Sequence, residues 1–181
     1  VISTSLENLE YGKTLAALMR EIGKDGYVSV EDNWATKNGI TTETTKGMRF
    51  LGTYASPFLT NDDIQKSAMC ENAKILVTNH KLESLNSLAE LTKEMKVAGK
   101  TRLVIIGGFS EGTTPFSNEV IMNISRAMAA AAKGVEVIQV LAIKAPTLTS
   151  EELEDVAVFC DAKFIDKRMG MELSDVRMVH L

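Results

Sequence analysis

Four groups of residues are of types that could do chemistry. Ile105-Ile106-Gly107-Gly108-Phe109-Ser110-Glu111-Gly112 reads as a strand, a glycine-rich loop and the approach to a helix. Such a loop can cradle a phosphate on backbone N–H groups at a helix N-terminus. It has neither the Gly-Lys-Ser/Thr ending of a P-loop nor the GxGxxG spacing, and Glu111 would repel an anion. A plain strand-to-helix turn is the competing reading. His80 follows Asn79 at an expected helix start, but a histidine base needs a nucleophile, and no GxSxG motif is present. A solvated cap residue is the simpler reading. Asp155, Asp161 and Asp166 are spread over helix and strand without metal-ligand spacing and read as solvated surface. Cys70 and Cys160 lie far apart, with no CxxC, so a zinc centre is not expected. Cys160 at a helix end reads as a small buried hydrophobe. No metal, cofactor or catalytic constellation emerges from these residues.

The elements that would have to position any site follow from composition and periodicity. With 181 residues, 45% apolar, the chain is long enough for one ordinary core and a small appendage. A net charge of −4 argues against a nucleic-acid partner, which would call for a basic patch. No apolar run approaches the roughly 20 residues of a membrane-spanning helix. Nor does a basic start precede an apolar stretch, so no secretory signal is expected. Two cysteines without a disulfide framework suit the cytoplasm. The chain begins at Val1 rather than Met, which reads as a processed or excised piece.

Leu6, Leu9, Leu15, Leu18 and Ile22 predict a helix over 6–22, capped by Ser5 and stopped by Gly23. Gly12 within it marks a close packing contact. Tyr27–Val30 and Ile40–Thr45 read as strands, joined by a polar loop at Glu31–Asn38. From residue 74 strand and helix alternate: Ile75–Thr78, Lys81–Ala98, Leu103–Ile106, Asn118–Lys133, Val135–Ile143, a helix opened by the capping box Thr149/Glu152 and running to Cys160, Lys163–Asp166, and a last strand at Val176–Leu181. Alternation of this kind predicts an α/β core with partly parallel strands. The first 45 residues form a small α+β piece. Between them lies Gly47-Met48-Arg49-Phe50-Leu51-Gly52-Thr53-Tyr54-Ala55-Ser56-Pro57-Phe58-Leu59, extended and rich in large apolar side chains. Composition alone favours a strand edge and turn that drop aromatics into the core.

That stretch resembles the start of the apical domain of GroEL-like, group I chaperonins. The family reads glutamate-Gly-Met-x-Phe, then Gly-Tyr-x-Ser-Pro-Tyr-Phe; here stand Lys46-Gly47-Met48-Arg49-Phe50, then Thr53-Tyr54-Ala55-Ser56-Pro57-Phe58-Leu59. Gly12-Lys13 and the run Gly23 to Asp32 are similar to the family's intermediate-domain segment. Ala98-Gly99-Lys100, Lys144-Ala145-Pro146 and Gly170-Met171-Glu172-Leu173 follow in the family's order. The resemblance implies residues 1–45 as part of the intermediate domain and 46–181 as the apical, polypeptide-binding domain, a mixed sheet flanked by helices.

The resemblance also implies the function. The apical domain of the family binds non-native polypeptides, and a co-chaperonin loop, in an apolar groove between two helices with the aromatic segment below. Carried over by position, the contacts are Tyr54, Phe58 and Leu59 from the segment, Ala89 and Thr92 from the first helix, and Ile121 and Met122 from the second. Lys93 and Lys96 would also face the groove. Leu88, Leu91 and Met95 fall on the family's core stripe, and Met48 and Phe50 go to the core. The family has leucines where Ala89 and Thr92 stand, which weakens the groove. Residues from Ala127 to about Val135 lengthen the second helix. The parent protein would be an ATP- and Mg-dependent homo-oligomeric ring. Its phosphate loop and water-activating aspartate are not in this chain, so the segment itself is expected to have no enzymatic activity and no cofactor. Two other readings stay open: a phosphate-ligand enzyme domain using the Gly107-Gly108 loop, and an interaction module that has lost client binding.

Overall fold

The computed structural model describes residues 9–23, 28, 30, 40–44, 47–60, 66–108 and 114–181. The chain divides into two units, Val1–Gly47 and Met48–Leu181. In the first, helix α1 spans Leu9–Ile22, and Gly12 within it is buried. Gly23 ends the helix at φ 82°, its N–H donating to the Met19 carbonyl at 3.2 Å. A left-handed φ at this point suits glycine, which has no Cβ to clash. The strand expected at Ile40–Thr45 does not form over 40–44, which are exposed and irregular. β-branched composition favours a strand only where a partner edge is available. Ser5, Leu6, the Gly23–Gly26 turn beyond Gly23, the Glu31–Asn38 loop, Thr45 and most of Tyr27–Val30 lie outside the described residues.

In the second unit five strands form one mixed sheet, ordered β1-β4-β3-β2-β5. The strands are β1 Thr53–Tyr54, β2 Lys74–Thr78, β3 Arg102–Gly108, β4 Gln139–Ala145 and β5 Phe164–Ile165. β2 to β5 run parallel, with Leu76 opposite Ile105 and Ile105 opposite Ala142; β1 joins β4 antiparallel through Thr53–Lys144 and Tyr54–Ile143. The crossovers are α2 (Ala89–Val97), α3 (Asn118–Ala132) and α4 (Ser150–Phe159). This is the α/β architecture that the alternation predicts.

Two cores follow from strand geometry, since consecutive side chains point to opposite faces. On one face Leu76, Leu103 and Ile105 pack with Leu88, Leu91 and Met95 around α2 and with Val120 and Ile124 of α3. On the other Val77 and Ile106 pack with Leu153, Val156 and Ala157 of α4. The stripe Leu88, Leu91, Met95 is therefore core, as expected. The Thr149/Glu152 capping box forms, Thr149 Oγ1 accepting from the Glu152 N–H and the Glu152 carboxylate from the Thr149 N–H at 2.7 Å. Ser117 caps α3 by accepting from the Val120 N–H.

Four boundaries differ from expectation. The helix expected over 81–98 is α-helical only from Ala89. Leu82 is extended and bridges Phe116 in parallel fashion, donating to the Pro115 carbonyl at 2.8 Å and accepting from the Ser117 N–H at 3.0 Å. Ser84 then caps a 3-10 turn, Leu85–Leu88, by accepting from the Asn86 N–H. Such serines offer the backbone a bond that competes with the α-helix. The strand expected at Val135 begins at Gln139 and runs to Ala145. The last expected strand, Val176–Leu181, is instead a 3-10 turn at Met178–His180, held by Glu94, whose carboxylate accepts from the Met178 N–H at 2.8 Å. Gly107 and Gly108 belong to β3 rather than to a loop.

Candidate binding surface

The segment after β1 turns sharply. Ser56 is extended and caps a 3-10 turn, Pro57–Leu59, by accepting from the Phe58 N–H at 3.3 Å. Proline at the first position presets φ for such a turn. Neighbours in the turn therefore diverge. Phe58 is 80% exposed, whereas Leu59 is 0% exposed and packs in the core shared with Val120 and Ile124. The expectation that Leu59 offers exposed binding surface is thus corrected: it anchors the turn from below. Tyr54 is half-buried, and its phenol oxygen accepts from the Ala68 N–H at 2.9 Å. It fastens the segment after the turn and presents only part of its ring. Met48 is exposed, against the expectation of a core position, while Phe50 is half-buried against the second core.

The Pro57–Leu59 turn packs against α3. On that helix Val120 and Ile124 face the sheet, Ile121 is half-buried against the same core, and Met122 is 55% exposed. Phe58 and Met122 are therefore exposed apolar side chains on two elements in contact. On α2, Ala89 and Thr92 are half-buried, and the Thr92 hydroxyl donates to the Ala89 carbonyl at 2.9 Å. Lys96 is exposed. Lys93 is exposed as well. It pairs with Glu90 at 2.7 Å and lines, with Glu94, Val97 and Met178, a shallow groove on the flank of α2 that meets the C-terminal turn.

The groups with chemical potential are otherwise committed. His80 is buried, not solvated, and its Nε2 lies 2.6 Å from the Met171 carbonyl oxygen, to which it donates. Asp166 is also buried rather than solvated. The Arg168 guanidinium hydrogen-bonded to it, aided by Asn79, holds its carboxyl down at about 2. Asn79 Nδ2 donates to Asp166 at 2.7 Å, and Asn79 Oδ1 accepts from the Lys167 N–H at 2.8 Å. This lock between the ends of β2 and β5 joins residues 87 apart in sequence. Asp155 and Asp161 are exposed as expected. Burial pushes the Cys70 and Cys160 thiols up, away from nucleophilic character. Among the described residues no three His, Cys, Asp or Glu side chains converge as a metal site would require.

Gly107 and Gly108 have a packing explanation. A Cβ on Gly107 would lie 2.6 Å from Pro115 Cβ, and one on Gly108 2.3 Å from Leu153 Cδ1. They let the end of β3 approach the entry to α3 on one face and α4 on the other. The expected loop beyond them, Phe109 to Gly112, lies outside the described residues.

The mixed five-stranded α/β fold is consistent with an apical-domain fragment. No protein-family model matches the chain. Against curated proteins it is a distant relative of the GroEL chaperonins. It is 27% identical over 181 residues to the chaperonin GroEL of Onion yellows phytoplasma (strain OY-M), covering 98% of this chain and 31% of that protein. It is 28% identical to the chaperonin GroEL of Aster yellows witches'-broom phytoplasma (strain AYWB), with the same coverage. The chain therefore spans 31% of the length of these relatives. Among the described residues no helix is long and apolar enough to cross a membrane.

Proposed function

We propose that this chain is the polypeptide-binding segment of a chaperonin subunit and that it captures non-native chains on the surface formed by Phe58 and α3. Beyond the distant likeness to GroEL, one observation carries the reading: Phe58 is 80% exposed on a turn packed against the helix that exposes Met122. Burying a Phe or Met side chain is worth about 1.5–3 kcal/mol, and here that energy is left unused by folding. Apolar contact is non-directional, and a thioether adapts its shape, so such a surface accepts many sequences. Ile121 next to Met122 on α3, and Tyr54 at the start of the segment that carries Phe58, are half-buried and would add their exposed parts, while Leu59 holds the turn from the core. Ala89 and Thr92 are half-buried on α2, and with the Thr92 hydroxyl satisfied inside its helix a ligand reaching them would meet no unpaired donor.

A co-chaperonin loop would use the same surface. In the parent protein, a homo-oligomeric cytoplasmic ring working with ATP and Mg, many copies would act together and convert weak single-site contacts into firm capture. The segment itself would bind without catalysing. An enzyme domain built on Gly107 and Gly108 is disfavoured because both glycines are accounted for by packing against Pro115 and Leu153.

The test is capture of a permanently unfolded protein, reduced and carboxymethylated α-lactalbumin, by the chain displayed densely on a surface. Phe58→Glu with Met122→Glu should abolish capture while leaving the melting temperature nearly unchanged. Full capture by that double variant would refute the assignment. Lack of capture by the wild-type chain would favour the interaction module, and a rise in melting temperature with inorganic phosphate or ATP would favour the enzyme.

A further inference from the structure

We propose that Met122 is a reversible oxidation site whose conversion to the sulfoxide switches off client capture; this rests on the binding surface proposed above. Thioether oxidation needs access of a peroxide to sulfur, and Met122 is 55% exposed on the outer side of α3, whereas Met95 is fully buried. In the step, hydrogen peroxide transfers one oxygen atom to Sδ. The sulfur loses two electrons, an S–O bond forms, the O–O bond breaks, and the remaining oxygen leaves as water. The product is a polar, chiral sulfoxide in place of an apolar, flexible side chain. At this position the change falls on the apolar surface. Its neighbour Ile121 is half-buried, with much of its side chain already packed against the core. Phe58 has no oxidisable group, so Met122 gives the surface its redox sensitivity.

Met19, Met48, Met69 and Met169 are exposed as well. They serve as internal controls, since they are converted in the same treatment but are not among the residues assigned to client contact. The experiment treats the chain and its Met122→Leu variant with hydrogen peroxide, maps sulfoxides by peptide mass, and measures capture of reduced and carboxymethylated α-lactalbumin. Capture is read as the ratio after and before treatment within each protein, so any effect of the substitution on basal capture cancels. The expected result is a roughly tenfold loss in the wild type, restored by methionine sulfoxide reductase, against little loss in Met122→Leu. Equal loss in both proteins overturns the inference, as does Met122 remaining unoxidised while Met69 and Met169 are converted. A wild type that keeps its capture with Met122 fully converted overturns this inference alone. One that captures nothing before treatment overturns the binding surface with it.

Discussion

Phe58 and Leu59 are adjacent in sequence and opposite in environment, which makes them a sharp test of the turn at Pro57–Leu59. Leu59→Ala empties space in a core lined by Val120 and Ile124, with no solvent access to refill it. The lost transfer energy and the residual cavity together cost about 3 kcal/mol for a leucine this deeply buried. The melting temperature should fall by roughly 10 °C for a domain of this size. The urea midpoint should fall by about 1.5 M, followed by far-UV circular dichroism. Phe58→Ala should change stability by less than about 0.5 kcal/mol, because its ring is largely in water already. Capture of the unfolded client should show the opposite order, with Phe58→Ala costing on the order of tenfold or more. Equal destabilisation by the two substitutions would refute the geometry of the turn. Intact stability with lost capture in Leu59→Ala would restore Leu59 to the binding face.

Other outcomes follow from the same surface and from the polar lock behind it. Ile121→Glu should lower stability by about 1–3 kcal/mol because it forces a carboxylate against the core, whereas Met122→Glu should leave the urea midpoint in place and affect capture alone. Ala89→Leu together with Thr92→Leu should tighten capture about tenfold by enlarging the apolar flank on α2, measurable by competition with a labelled client. Asp166 has its folded pKa held at about 2, below the 3.8 of the free side chain. Its stabilising contribution is therefore complete above about pH 4 and lost as pH falls through about 2. Arg168 is 67% exposed, so screening limits the gain to about 1 kcal/mol. Asp166→Asn should be less stable than the wild type by that amount at neutral pH, and urea titrations of the two should converge near pH 2.

What was legible in the sequence was what local pattern decides. Leu88, Leu91 and Met95 announce their buried face through spacing, Thr149 and Glu152 announce a helix start, and Gly99 announces a helix end. The last is met with φ 66° at Gly99 and the Lys100 N–H donating back to Met95 at 2.8 Å. The misses have non-local causes. Val176–Leu181 has strand composition, but β2 holds β5 at its free edge, and Glu94 on α2 captures the segment as a turn. Leu82 sits at helical spacing yet extends to reach Phe116. In the candidate surface, composition placed aromatics in the core and the family resemblance placed Tyr54, Phe58 and Leu59 outside. Neither could divide Phe58 from Leu59, because a single serine cap, Ser56, sets which way each points. His80 and Asp166 looked solvated because their partners, Met171 and Asn79, are about ninety residues away.

The tie between Leu82 and Phe116 has a mechanical consequence. Two backbone bonds, with a third from the Ser117 hydroxyl to the Glu83 carbonyl at 2.9 Å, fasten the lead-in to α2 onto the start of α3. Any change in the spacing of the two helices must fan out from that end, as blades do from a rivet. A helix of 15 residues is about 22 Å long, so a tilt of about 5° moves its far end by roughly 2 Å. Met122 lies in the second turn, close to the rivet, and is carried only a fraction of that distance. Under such a tilt the contact zone beside Phe58 would keep its dimensions, and the displacement would fall on the alanine-rich end of α3.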